Sequence, residues 1–269
     1  MTTIIGGVRD GPGVIADAAF GAAPQRWPLP SAGAPEETWL RAVAAGGQGR
    51  YAAALTDLAA LHRCAEPSLR SLAASTRASF LRQLGGHRAA RRWDGVAVAE
   101  AAAGPAAHAD ALIGLAADAL GVGRLAASRR LLERAGEYLD DARDDRLPIR
   151  FGWVRAELAM ARGDGPDAVH QAQRAVAAAA GFGSARHRVK SEVVLAAALC
   201  TAGDLPGCRD IADAALESAD RLGLVPLRWA LASLLVGVGS AIRSPADVTR
   251  VMETSADQVR QRGGVWFRR

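Results

Sequence analysis

From residue 35 onward, apolar and polar positions fall into helical runs, and the runs come in pairs. Five segments share one form: a helical run, a glycine, a small residue five positions later, and a second helical run. The glycines are Gly49, Gly85, Gly123, Gly163 and Gly203, spaced 36, 38, 40 and 40 residues apart. The small residues are Ala54, Ala90, Ser128, Ala168 and Cys208, and an alanine stands seven before every glycine: Ala42, Ala78, Ala116, Ala156 and Ala196. Glycine at the end of a first helix permits the left-handed backbone of a tight turn. Small side chains where two helices cross let their backbones approach. Neither helix of such a hairpin can bury its apolar stripe alone, so neighbouring hairpins must stack.

Both ends depart from this pattern. Residues 1–34 are interrupted by Gly11-Pro12-Gly13, Pro24, Pro28 and Pro30, which predicts an irregular arm with one short helix around Val14 to Phe20. Trp27 and Leu29 are its candidate anchors, and a packed and a disordered arm both fit. Val225 to Ile242 and Ser244 to Arg262 read as a sixth, degenerate hairpin, with Ser244-Pro245 as a helix start. Its divergence suits a terminal cap. A tail, 263–269, carries Trp266 and Phe267 beside two arginines. The expected organisation is therefore an arm (1–34), a repeat domain (35–262) and a tail (263–269).

The stretch Gly49-Arg50-Tyr51-Ala52-Ala53-Ala54-Leu55, with Leu58 and Leu61 beyond it, resembles the centre of a tetratricopeptide repeat. That family places an aromatic two residues after the glycine and an alanine five after it. The later segments carry His87, Leu125, Gly165 and Leu205 at the aromatic position, and the period exceeds the family's usual one. The resemblance covers roughly residues 36–217. It implies an all-α fold, a right-handed α-solenoid of about six antiparallel helical hairpins. It also implies that the first helix of each hairpin lines a concave, partner-binding groove.

Composition agrees with helix: half the residues are hydrophobic, alanine dominates, and only 5% are aromatic. The net charge is +5, and Lys190 is the only lysine. Such an Arg- and Ala-rich vocabulary resembles that of a GC-rich, actinobacterial genome, which weakens any functional reading of the charge. A basic balance suits nucleic acid or an acidic partner, but a solvated surface explains it as well. Three cysteines without a C-x-x-C pair fit a reducing compartment. No basic start precedes an apolar run at the N-terminus, and no segment reaches the roughly 18 apolar residues a membrane span needs. A cytoplasmic location is expected.

Catalytic and cofactor motifs fail on context. Gly121-Val122-Gly123-Arg124-Leu125-Ala126 matches a dinucleotide fingerprint by letter, but a helix, not a strand, precedes it. The five histidines form no i, i+4 pair. Asp167 with His170 reads as a helix start. Asp140 to Asp145 lacks the alternation and glycine of a calcium loop and reads as a solvated linker. No cofactor, metal or catalytic constellation is expected, and the chain reads as a non-enzyme.

Binding residues follow from the resemblance alone. Carried over by position, the groove takes Glu36, Trp39 and Val43, then Ser75, Ser79 and Arg82, then Asp110 and Ile113. Arg150, Trp153 and Glu157 follow, then Lys190 and Val193. Trp39, Arg82, Asp110, Arg150, Trp153, Glu157 and Lys190 are the chief candidates. Trp39 and Trp153 share one repeat position, and both core and groove roles fit them. Arg186-His187-Arg188-Val189-Lys190 is the densest basic cluster, and Arg41, Arg77 and Arg155 recur eight before the glycine. The expected function is capture of a peptide or protein segment. The alternative is a nucleic-acid-associated or transcription-regulatory accessory role through an Arg-rich face.

Overall fold

The computed structural model describes residues 12–101, 104–142 and 144–267. All regular structure among them is helical, in thirteen helices. After α1 (Pro12–Phe20), the helices pack in consecutive pairs: α2 (Pro35–Gly47) with α3 (Tyr51–Leu61), and α4 (Pro67–Gln83) with α5 (His87–Glu100). Next come α6 (Pro105–Gly121) with α7 (Leu125–Gly136) and α8 (Arg146–Ala161) with α9 (Gly165–Phe182). The last pairs are α10 (Ala185–Thr201) with α11 (Leu205–Arg221) and α12 (Val225–Val238) with α13 (Pro245–Gln261). The first members also touch one another in chain order, α2 against α4 and so on to α10 against α12.

The turns within these pairs show why the glycines recur. Gly49, Gly85, Gly123, Gly163 and Gly203 all have positive φ, between 73° and 86°. At each, the following amide reaches back five residues, as in Asp164 N to the Ala159 carbonyl at 3.0 Å, and the glycine amide reaches back three, as in Gly163 N to Met160 O at 3.0 Å. This is the Schellman arrangement, which satisfies carbonyls that a helix end leaves bare. The alanines seven before the glycines and the small residues five after them are all fully buried. The period thus marks the tight turns and the close crossings together.

The same turn also appears where the period did not reach. Leu224 N reaches Ala219 O at 2.9 Å around Gly223, and Gly264 N reaches Val259 O at 2.9 Å around Gly263. Helix α12 ends at Val238, four residues short of the expected Ile242, because Gly239 leaves the helix with φ 82°. Ser244 caps α13 by accepting from Asp247 N.

The N-terminal arm packs on the body. Ile15, Ala18 and Ala19 of α1 are buried, and α1 lies against α2 and α10. The Gln48 amide donates to Pro24 O and Arg26 O at 2.8 and 2.9 Å, while Ala185 N donates to Gly21 O at 3.0 Å. Trp27 lies under the Arg50 guanidinium, 4.3 Å from its centroid, and Leu29 packs on the neighbouring core. The expected arm thus holds a nine-residue helix, and its first eleven residues lie outside the described ones.

The two ends of the array meet. Ala52 N donates to Arg262 O at 3.0 Å, Arg262 Nη1 donates to Gln48 O at 2.7 Å, and Phe267 N donates to Leu84 O at 2.9 Å. Val225, Val259 and Trp266 share one apolar cluster with α2, α3 and α4. The last pair, expected as a terminal cap, is therefore joined to the first. Trp266 and Phe267 supply part of that joint.

Candidate functional site

The inward faces of the first helices line a partly open cavity of about 480 Å³. Side chains from α2, α4, α6, α8, α10 and α12 line it, together with Phe20 of α1 and His87 at the start of α5. All seven chief candidates from the sequence stand on this wall: Trp39, Arg82, Asp110, Arg150, Trp153, Glu157 and Lys190. Val43, Ser79 and Ile113 join them. Three other assigned positions do not. Glu36 is exposed near the start of α2, Ser75 is buried behind Asp110, and Val193 packs into the cluster built on α10 to α13.

Trp39 and Trp153 combine the two roles the sequence left open. Each indole N–H is satisfied on the next first helix, Trp39 by Thr76 Oγ1 at 2.9 Å and Trp153 by Ser191 Oγ at 2.8 Å. Both rings also face the cavity. Phe20 stands 5.6 Å from Trp39 and 5.8 Å from His187, whose ring stacks on Trp153 at 5.4 Å. On the far side Trp229 is backed by Trp266 at 4.3 Å. An aromatic wall with satisfied polar edges is a preorganised contact surface.

The charges are mostly paired. Arg82 bonds both Asp94 and Asp118, joining α4, α5 and α6. Arg150 Nε lies 2.9 Å from Asp110 Oδ1, and Ser75 donates to Asp110 Oδ2 at 2.9 Å. Burial disfavours the Asp110 carboxylate, but Arg150 and Arg146 outweigh it and hold its pKa below the ordinary value. Arg146 Nε bonds Asp144 Oδ1 at 2.9 Å, and Lys190 reaches Glu157 at 3.5 Å.

Asp94 and Asp118 shift the other way. Burial, with Asp118 beside it, pushes Asp94 up to about 8 despite Arg82, and burial raises Asp118 as well, so the pair holds a proton more readily than isolated carboxylates do. His187 is driven well below its ordinary pKa, first by burial and then by Arg186, Arg146 and Arg150, and is neutral. It shares a 2.9 Å hydrogen bond with Ser184 Oγ.

Arg186, Arg146, Phe20, His187 and Trp229 were missed as wall residues. The basic cluster at 186–190 carried the signal for three of the cavity's groups. Arg186, His187 and Lys190 fall on one face of α10 and line the cavity, while Arg188 is exposed and Val189 is buried. Phe20 had no signal, because only tertiary packing brings α1 to the cavity. The arginines that recur eight before the glycine are engaged within the chain. Arg41 pairs with Asp57, Arg77 covers Trp93 at 4.0 Å, and Arg155 lies 5.6 Å from Phe151.

Among the described residues no group of three His, Cys, Asp or Glu side chains is placed to hold a metal ion, and no helix is long and apolar enough to cross a membrane. Cys64, Cys200 and Cys208 are free. No protein-family model matches the chain, and no curated protein is significantly similar to it.

Proposed function

We propose that this protein is a non-catalytic binding module, a right-handed tetratricopeptide-like solenoid of six hairpins that captures part of a peptide or protein segment on its concave face. The observation that carries the reading is convergence. Seven side chains assigned from five repeats line one cavity, where aromatic rings stand among cations and carboxylates. Preformed concave surfaces of this volume, with a few placed polar groups, are what small binding sites use. About 480 Å³ suits the end or a few side chains of a segment rather than its full length. The free cysteines support a reducing, cytoplasmic setting.

A peptide-display selection on the purified chain tests this, with the charge swap Glu157→Lys/Lys190→Glu as counter-target. The swap keeps the ion pair but reverses its direction on the wall. Selected peptides should bind the swap at least tenfold more weakly, with the helical signal and melting temperature unchanged. Equal binding to both proteins would remove the cavity assignment. Generic DNA and RNA should not bind at low salt, and steeply salt-dependent binding would favour the nucleic-acid role instead.

A further inference from the structure

We propose that the central cavity is a receptor for an organic anion, a carboxylate or phosphate on an aromatic body, and that Arg186 is the residue that binds it. The proposal rests on the reading of the cavity as the binding surface and names the chemistry of the ligand.

Arg186 stands apart from every other cation on the wall. Arg82, Arg146, Arg150 and Lys190 each have a carboxylate partner. Arg186 has none among the described residues, and its buried Nε has no hydrogen-bond partner. Its one close favourable contact is the face of Phe20, 5.6 Å from the guanidinium carbon. Burial, with Arg150 and Arg146 nearby, pushes its pKa down to about 10, so it is still charged at neutral pH. Arg186 as a whole is half-buried, and a partly desolvated charge without a partner is costly, so folded proteins pair such charges or use them.

The geometry around Arg186 narrows the ligand. A guanidinium offers a planar fork that matches a carboxylate or phosphate with two parallel hydrogen bonds. Arg146 also reaches over this region, 5.1 Å from both the Phe20 and Trp39 rings. The anion therefore sits beside Phe20, Trp39 and the stacked Trp153–His187 pair, which suit a flat apolar body. The anion has two sources, a free small molecule or the C-terminal carboxylate of a peptide.

Tryptophan-fluorescence titrations of the full chain at constant ionic strength test the proposal. The probes are phenylacetate, phenyl phosphate, neutral phenylacetamide, and the peptide Gly-Gly-Phe as free acid and as amide. The wild type should bind at least one anion ten times more tightly than its neutral counterpart. Arg186→Met should abolish that preference while melting at or above the wild-type temperature, because it removes a half-buried charge that has no carboxylate partner among the described residues. Arg186→Lys, which keeps the charge but loses the fork, should bind weakly.

A free small anion that binds as tightly as the acid peptide identifies a small-molecule ligand, whereas a clear advantage for the acid peptide identifies a chain terminus. No preference for any anion over its neutral counterpart, or a preference that survives in Arg186→Met, overturns the proposal. If acid and amide peptides bind equally well and no small anion is preferred over its neutral counterpart, peptide capture stands and the anion site falls.

Discussion

Gly123 isolates what the recurring glycines contribute. Its φ is 77°, and a Cβ added there would meet no other atom within 4 Å. Gly123→Ala therefore changes backbone energy and little else. The left-handed conformation costs a side-chain-bearing residue roughly 1–2 kcal/mol. Urea denaturation should show a loss of that size with an unchanged fold, and a neutral result would mean the turn relaxes to another conformation. This requirement is local and one residue type meets it best, which is why five turns were legible in the sequence. The ion partners of Arg82 and Arg150 were not legible, since nothing in local spacing brings Asp94 or Asp110 to them.

Between elements, the Arg82 joint has a pH dependence with a defined sign. Asp94 titrates near 8 in the folded protein and near 3.9 when unfolded. Between these values the folded chain binds more protons, so stability falls as pH rises. The contribution is complete below about pH 4 and is lost as pH rises through 8. Asp94→Asn removes the titration and leaves an acceptor for Arg82. Denaturation at pH 6 and pH 9 should show the variant gaining on the wild type by at least about 1 kcal/mol. A difference independent of pH would place the proton elsewhere. Pairing of helices was legible, because alanine and glycine registers encode each crossing. The place of α1 was not: Phe20 enters the cavity through packing on α2 and α10, and an arm broken by prolines has no period from which to read it.

At the scale of the molecule, closure turns a concave face into a cavity. The contacts that close it, such as Arg262 to Gln48 and Phe267 to Leu84, join opposite ends of the chain. A repeat pattern describes each hairpin and its neighbour, and leaves the total curvature unstated. The inward stripe of the first helices was still legible, which is why the seven groove residues reach one wall while the enclosure itself was unforeseen.

Hydrogen exchange tests the enclosed inner face most directly. With the tightest peptide from the display selection bound, amide protection should rise in α4, α8 and α10, which carry Arg82, Trp153 and Lys190 into the cavity. It should remain unchanged in α5, α7 and α9. Protection concentrated on α5, α7 and α9, with α4, α8 and α10 unaffected, would contradict the account.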